Sequence, residues 1–454
     1  MNIDAGMIAL DKLHVWEVYS RSLGAELRQC SEEGRDVTRY ADVVKAIEAL
    51  PLDATREELA HTLHTALTSA PMRSDYRYLE PDRLDWIRAA RPQERPEPRP
   101  MPDTSTLRDK VRGAWLGRIC GCLLGKPVEG WMSDDIRALA QAQHNWPLNA
   151  YLKRDAQALA QLGKPDSLNN AWADALGGAA PADDDTNYTA LAALKVLPRH
   201  GRDFTPDDVA HEWLASQPKD AYCTAERRAF RNFVAGIMPP RSATYKNPDR
   251  EFIGAQIRAD YYGYINPGDT QQAADMAWRD ACISHVKNGI YGEMFVAAML
   301  ARAAVSGDME DIIRAGLSEI PERSRLAEAI RDAIEQWRAG LSPDECFARL
   351  HARYDEHDGF DWVHTIPNAV IVTLCLLISG GDYSRGITLA VMQGFDTDCN
   401  GATVGSIIGM ARGADAIDAR WTEPVNGRLR TQIFGCDVIS IDELVDLTLS
   451  HMAK

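Results

Sequence analysis

Two clusters of aspartates have the residue types and spacing to bind cations. Asp183, Asp184 and Asp185 are consecutive, and Asp396 and Asp398 are separated by one residue. Each cluster could instead cap a following helix, but one aspartate suffices for that, and adjacent anions repel one another unless a cation lies between them. Neither cluster contains histidine, and oxygen ligands select hard cations such as Mg²⁺, Mn²⁺ or Ca²⁺ rather than zinc. The two clusters together predict enough ligands for two divalent cations.

Two ladders of glycines predict how these clusters are positioned. In each ladder a glycine recurs every four residues, and positions four apart form one ridge of a helix. Glycine destabilises a helix by up to about 1 kcal/mol relative to alanine, so a run of four needs a reason. Close contact between two helix backbones supplies one, and chance spacing is the alternative. The ladders are Gly113, Gly117, Gly121 and Gly125, and Gly401, Gly405, Gly409 and Gly413.

Acidic residues lie at the ends of both ladders. Glu129 follows the first ladder, and Asp396 and Asp398 precede the second. If the two helices pack antiparallel, the C-terminal end of one lies beside the N-terminal end of the other. We therefore expect Glu129 close to Asp396 and Asp398. From the residues alone, Glu129 could equally be a solvated side chain at a helix end.

The chain as a whole is predicted to be all-α. Few alternating runs typical of strands are found. Helices are predicted over residues 107–124, 185–197, 270–305, 309–317, 324–339 and 369–379.

Repeated prolines between residues 91 and 103 favour an extended connection. We therefore predict an N-terminal helical extension (1–92), a proline-rich linker (93–105) and a compact multi-helix domain (106–454). On this division residues 104–454 should fold alone, and the extension should serve as a lid or as a subunit interface in a homo-oligomer.

Composition restricts the class of partner. The net charge is −16, which disfavours a general nucleic-acid binder because such a surface repels phosphates. The nine cysteines lack zinc-ligand spacing and favour a reducing compartment. The N-terminus lacks the pattern of a signal peptide, and the longest apolar stretch, residues 369–378, is too short to span a bilayer. We expect a cytoplasmic protein that binds neither nucleic acid nor membranes.

Five segments, in this order along residues 106–420, make the chain resemble the ADP-ribosylglycohydrolase family. The first contains GAWLGRICGCLLGKPVEGW, and the second, DDDT, resembles the family's first metal motif. GAQIRADYYG and ISHVKNGIYGEMFVAAML follow. The last, GFDTDCNGATVGSIIG, resembles the second metal motif and is the most specific of the five.

The resemblance implies an all-α domain with two Mg²⁺ or Mn²⁺ ions in a cleft. The implied metal ligands are Asp183, Asp184, Asp185, Asp396 and Asp398, and the implied catalytic residues are Glu129 and Asp398. The implied substrate-binding residues are Gly254, Ala255, His285, Tyr291 and Gly292.

Two residues depart from the family pattern. Asp183 replaces a neutral hydroxyl residue, and Cys399 replaces a threonine that usually contributes its hydroxyl. A neutral thiol is a poor ligand for Mg²⁺, so the second site is expected to favour Mn²⁺. Arg258 is either a core ion-pair residue or a phosphate contact. Trp131 and Tyr291 either stack on a base or belong to the core.

The predicted function is therefore a metal-dependent hydrolase that cleaves the glycosidic bond at the anomeric ribose carbon of an ADP-ribosylated substrate, such as an ADP-ribosylated protein. One alternative substrate is a small ribosylated metabolite or nucleoside. An alternative of another class is a non-catalytic module that binds ADP-ribose, although the presence of the acidic ligands argues against it.

Overall fold

Helices joined by loops make up the described residues, together with one two-stranded antiparallel sheet, as predicted for an all-α chain. The structure, a computed structural model, describes residues 10–165 and 171–452. The N-terminal helices are α1 (Leu23–Glu32), α2 (Ala41–Glu48), α3 (Ala54–Thr68) and α4 (Leu84–Ala90).

The larger remaining part of the chain contains the following elements: α5 (Thr104–Gly125), α6 (Ser133–Ala142), α7 (Ala156–Gln161), α8 (Asp184–Leu191), α9 (Leu197–His200), α10 (Pro206–Ser216), α11 (Thr224–Val234), α12 (Asp260–Tyr264), α13 (Thr270–Ala281), α14 (Lys287–Ala303), α15 (Met309–Leu317), α16 (Arg325–Arg338), α17 (Pro343–Arg353), α18 (Thr365–Ser379), α19 (Tyr383–Val391), α20 (Thr397–Arg412), α21 (Ala419–Thr422), β1 (Arg428–Ile433), β2 (Cys436–Ser440) and α22 (Ile441–Met452).

Helices α5 and α20 cross in antiparallel contact at the centre of this part, which confirms the prediction from the glycine ladders. A Cβ atom added at Gly117 would lie 2.1 Å from the carbonyl oxygen of Gly405, and one added at Gly121 would lie 2.0 Å from that of Gly401. These distances are far below van der Waals contact, so only glycine fits at the crossing. The backbones meet directly, and no side chain lies between them.

The ends of the two helices have local causes. Helix α5 begins at Thr104 because the Asp103 carboxylate accepts hydrogen bonds from the backbone N–H groups of Ser105 and Thr106. Helix α20 ends at Gly413, whose φ of 86° is unfavourable for residues with a side chain. The contact between them runs from Gly113, which meets Gly409, to Gly125, which meets Thr397.

Other buried helices surround this pair. Nearly every residue of α14 and α18 is buried, and α19 packs on α20. Among the helices of the described residues, none combines the length and the hydropathy needed to cross a lipid bilayer.

The predicted helix over 270–305 is wrong in one respect, because it is two helices separated at residues 282–286. The Val286 N–H donates to the Arg250 carbonyl oxygen and the Asn288 N–H donates to the Glu251 carboxylate, so contacts with a distant segment redirect the chain. The β1–β2 hairpin was not predicted.

The predicted helix over 369–379 begins earlier, at Thr365, where the His364 side chain accepts a hydrogen bond from the Ile366 N–H. The predicted helix over 185–197 contains a wider π-helical turn between Ala192 and Val196.

The N-terminal helices have a small core of their own but are joined to the larger part by buried ion pairs. Arg250 contacts Glu26 and Glu33, each at 2.6 Å, and all three side chains are buried. Arg325 contacts Glu80 at 3.1 Å. Buried charges of this kind need their partners, so the two parts stabilise each other.

The proline-rich segment is also held in place. Residues 92–103, all of them described, contain no helix or strand. At its start Arg91 contacts the buried carboxylate of Glu319 at 2.9 Å, and Arg95 also pairs with Glu319. The segment therefore lies along the larger part of the chain, to which these ion pairs hold it.

Candidate metal centre

Carboxylates from the starts of α8 and α20 converge near the end of α5. One group of potential ligand atoms, all within 4.8 Å of one another and all on buried residues, belongs to Cys122, Asp183, Asp185 and Asp398. A second group, equally close, belongs to Asp396, Asp398 and Cys399. The antiparallel crossing brings these residues together, because it places the N-terminus of α20 against Gly125.

The carboxylate oxygens that face one another are not satisfied by hydrogen bonds. Oδ2 of Asp185 and Oδ1 of Asp398 are buried and have no hydrogen-bond partner among the described residues. Buried anionic oxygens without partners are unfavourable, and a divalent cation is the group that would satisfy several at once. The residues present therefore fit a hard cation with oxygen ligands.

Asp184 occupies a different position from its neighbours. It is partly exposed and belongs to neither close group. Asp183 caps α8, since its carboxylate accepts a hydrogen bond from the Asp185 N–H at 2.9 Å. Both interpretations of the consecutive aspartates are thus present: Asp183 caps the helix and, with Asp185, also belongs to the first ligand group.

Lys126 places an ammonium group among these carboxylates. Its Nζ atom lies 2.7 Å from Asp183 Oδ2, 3.3 Å from Asp398 Oδ2 and 2.7 Å from Glu129 Oε2. Although burial alone would lower it, the surrounding negative charge raises the pKa of Lys126, with Asp183 the largest contributor. The lysine is therefore a fixed positive charge at the edge of the site.

Arg118 supports the same site from within the core. The guanidinium is fully buried and contacts Asp185 Oδ1 at 3.1 Å and Asp260 Oδ1 at 2.9 Å. A further hydrogen bond goes to the Ile257 carbonyl oxygen at 2.7 Å. Arg118 thus fixes one oxygen of Asp185 and leaves the other facing the acidic group.

Burial and mutual repulsion shift most of the acidic pKa values upward. Burial, followed by the charge of Asp183, raises the pKa of Asp184 to about 8. Burial, followed by the charge of Asp398, raises the pKa of Asp396 well above its usual value. For Asp183, burial is opposed by Lys126, and the pKa is lowered. The site without a cation carries more negative charge than it can stabilise.

The two thiols beside the carboxylates are neutral. Burial, followed by the nearby aspartates, raises the pKa of Cys122 and that of Cys399 well above the usual range. A neutral thiol contributes little to binding a hard cation. Cys399 nevertheless lies within the second ligand group, as expected for a residue in the position of a hydroxyl ligand.

Glu129 lies at the mouth of the site. Its side chain is 41% exposed, and it follows a short turn, Lys126–Val128, at the end of α5. The charge of Asp398, followed by burial, raises the pKa of Glu129 to about 7, in spite of the opposing effect of Lys126. A carboxyl group that titrates near neutrality and is open to solvent can both accept and donate a proton.

A strained backbone and a small cavity lie next to the second group. Phe395, the residue before Asp396, is buried and has a φ of 54°, a conformation that residues with a side chain rarely adopt. Phe395 also lines a cavity of about 240 Å³ together with Trp131 and Trp362. The cavity therefore offers aromatic walls beside the acidic residues.

The residues around Gly254 serve mainly to pack a buried ion-pair network. A Cβ atom at Gly254 would overlap the Glu226 carboxylate, and the neighbouring Ala255 is fully buried. Arg258 is 1% exposed and contacts Glu226 at 2.7 Å. It also pairs with Asp280. Arg258 is therefore a core ion-pair residue rather than a phosphate contact.

The remaining predicted substrate residues lie beyond this network. The buried ring of His285 shares a hydrogen bond with Ser284 Oγ at 2.8 Å, and its Nε2 atom is 4.0 Å from Glu226. Tyr291 donates its hydroxyl to the Pro81 carbonyl oxygen at 2.6 Å, beneath the N-terminal segment. Gly292 gives room to Thr365 and Gln256.

Sequence reasoning missed Lys126, Cys122 and Arg118. The glycine ladders could have indicated Lys126 and Cys122, because both residues lie close to Gly125, which meets the start of α20. Arg118 had no comparable signal, since its partner Asp260 is distant in the sequence.

Comparisons with known proteins identify the family of the chain. No curated protein sequence matches the chain. One solved structure, described as an ADP-ribosylglycohydrolase-related protein complex, is 20% identical, covers 77% of this chain and 99% of its own, and has a TM-score of 0.49. The family model described as ADP-ribosylglycohydrolase matches residues 103–451. Because that match spans well over half of the sequence, the chain belongs to the ADP-ribosylglycohydrolase family.

Proposed function

We propose that this glycohydrolase uses Mg²⁺ or Mn²⁺ to cleave the bond between a leaving group and the anomeric carbon of the ribose in an ADP-ribosylated substrate. The observation that carries the proposal is the convergence of buried, unpartnered carboxylate oxygens from Asp185 and Asp398 beside the exposed carboxyl group of Glu129. A purely structural acidic cluster would not leave such oxygens without partners.

The aspartates of the two ligand groups are the residues that would hold the cation. When bound, it supplies positive charge near the ribose oxygens and the attacking water. Asp398 contributes to both groups and fixes their relative position. The remaining negative charge of the cluster stabilises the oxocarbenium character that develops as the leaving group departs.

Glu129 acts at the mouth of the site. Its side chain is reachable from solvent, and its pKa of about 7 allows it to exchange protons near neutral pH. We propose that it positions the ribose and the water and transfers a proton during the reaction. Lys126 holds its Oε2 atom at 2.7 Å and thereby limits its orientation.

The aromatic cavity supports a nucleotide-like substrate. Trp131, Trp362 and Phe395 line about 240 Å³ next to Asp396, and flat aromatic rings are suited to stacking on a base. We propose that this cavity receives the part of the substrate remote from the scissile bond. Replacement of Trp131 by alanine should then raise KM more than it lowers kcat.

The test begins with metal dependence. EDTA should abolish product formation, and Mg²⁺ or Mn²⁺ should restore it. Asp398→Asn should lower activity strongly, whereas Asp134→Asn, the same substitution at a side chain that is 91% exposed, should leave activity unchanged. Full activity in a sample verified to be free of metal would refute the proposal.

A substrate panel then defines the leaving group. ADP-ribosyl-arginine, ADP-ribosyl-serine and simple nucleosides should be compared by direct detection of the released product. Turnover of an ADP-ribosylated compound supports the proposed substrate class, and turnover of nucleosides alone would replace it by a small ribosylated molecule. Binding of ADP-ribose without any turnover would instead indicate a binding module.

A further inference from the structure

The ammonium group of Lys126 already occupies part of the first ligand group. It contacts Asp183 at 2.7 Å and Asp398 at 3.3 Å, and these are two of the three carboxylates in that group. The third, Asp185, is paired with Arg118 at 3.1 Å. Each carboxylate of the first group therefore has an ion-pair partner that belongs to the chain itself, although Oδ2 of Asp185 accepts no hydrogen bond.

The second ligand group differs in this respect. No ion pair to Asp396 is found among the described residues, and Asp396 belongs to this group alone, whereas Asp398 is shared by both groups. Cys399, the remaining member, offers a thiol sulfur, which is a poor ligand for a hard cation. Lys126 contacts this group only through Oδ2 of Asp398.

Geometry and charge disfavour a divalent ion beside this ammonium. An ion bound to the first group would share the carboxylates of Asp183 and Asp398 with Nζ of Lys126, so the two cations would lie within a few ångströms of each other. Like charges at such a separation repel strongly where water is largely excluded. An ion at the second group meets the lysine only through Asp398.

We propose that Lys126 serves as the built-in cation of the first ligand group, so that the chain binds one divalent ion, at the second group, instead of two. This inference rests on the proposed function only in requiring that a divalent ion binds. It predicts that the count of bound ions is set by a lysine and can be changed by removing it.

The test counts Mn²⁺ ions bound to the metal-stripped, full-length chain by calorimetric titration and by electron paramagnetic resonance. The wild type should bind one ion, and Lys126→Met should bind two. The variant should also acquire the spectrum of two coupled Mn²⁺ ions, which the wild type lacks. Lys195→Met is the matched control, because Lys195 is a partly exposed lysine that donates to the Phe434 carbonyl oxygen at 3.1 Å and touches neither ligand group; this variant should bind one ion.

A second pair of variants locates the ion without changing Lys126. Asp396→Asn should lose Mn²⁺ binding at least tenfold, whereas Asp183→Asn should retain the single ion. These two variants test the position of the ion even if Lys126→Met fails to fold.

Several results would overturn the inference. They are two ions in the wild type, one ion in both the wild type and Lys126→Met, or equal loss of binding in the two aspartate variants. Any of these leaves the proposed metal-dependent hydrolysis standing. Absence of Mn²⁺ binding in the wild type and in every variant would overturn both the inference and the proposed function.

Discussion

The crossing of α5 and α20 gives the sharpest test of the fold. Gly117→Ala places a methyl group where the structure has the Gly405 carbonyl oxygen, at 2.1 Å from the new Cβ atom. Ordinary contact begins at 3.4 Å, so the two backbones must separate by about 1 Å or more. Both helices are buried along their contact and cannot move apart without loosening their other neighbours.

The expected loss of stability follows from two opposing effects. Overpacking a buried contact commonly costs about 1–3 kcal/mol, and this one is against backbone, so the upper end applies. Replacing glycine by alanine within a helix returns up to about 1 kcal/mol. We expect Gly117→Ala to lower the free energy of unfolding by about 2 kcal/mol or more.

The assay is thermal and urea-induced unfolding followed by circular dichroism. Gly24→Ala is the control, because Gly24 lies in α1 and its added Cβ would only touch Glu48 at an ordinary 3.5 Å. The control should melt at or slightly above the wild-type temperature. Gly117→Ala combined with Gly405→Ala should cost less than the sum of the single changes, because both widen the same contact. An unchanged unfolding midpoint in Gly117→Ala would refute the close crossing.

Three further predictions concern the cation site and the N-terminal segment. Cys399→Thr supplies a hydroxyl ligand, so Mg²⁺ should bind more tightly and the preference for Mn²⁺ should fall; identical titration curves would place Cys399 outside the ligands. Deletion of residues 1–103 removes the ion-pair partners of the buried side chains Arg250 and Glu319. We therefore expect a sharp fall in soluble yield and melting temperature, and a well-folded product would contradict this. Without metal, Glu129 keeps its proton in the folded chain up to a pKa of about 7, while the unfolded chain ionises near 4.5. The stabilisation is complete below the lower value and is lost as pH rises towards 7, so the melting temperature should fall between about pH 4.5 and 7 and level off above, with a smaller fall in Glu129→Gln.

The central crossing was predictable because it depends on a local property of the sequence. Glycines four residues apart mark a ridge without side chains, and two such ridges can be matched without knowing the rest of the fold. The same register then brought Glu129 and Asp398 to one place, where Lys126 joins their carboxylates.

Features that depend on distant partners were not predictable in this way. The break before α14 exists because the Val286 N–H bonds to the Arg250 carbonyl oxygen, and nothing near Val286 in the sequence indicates that contact. The glutamates and arginines of the N-terminal segment look like solvated surface charges until their buried partners are known. Glu26 and Arg250, for example, are 224 residues apart. The expectation that residues 104–454 fold alone was made without knowledge of such pairs, and the deletion of residues 1–103 tests it.

The helix crossing also has a consequence for the order of events during synthesis. Thr397 donates its hydroxyl to the Gly125 carbonyl oxygen, 272 residues earlier in the chain. At a synthesis rate of roughly 5–20 residues per second, the buried face of α5 stays uncovered for about 15–50 s before α20 leaves the ribosome. A nascent chain with an uncovered helix of this kind is exposed to aggregation, so its yield in cells should depend more strongly on chaperones and translation speed than on the stability of the finished protein.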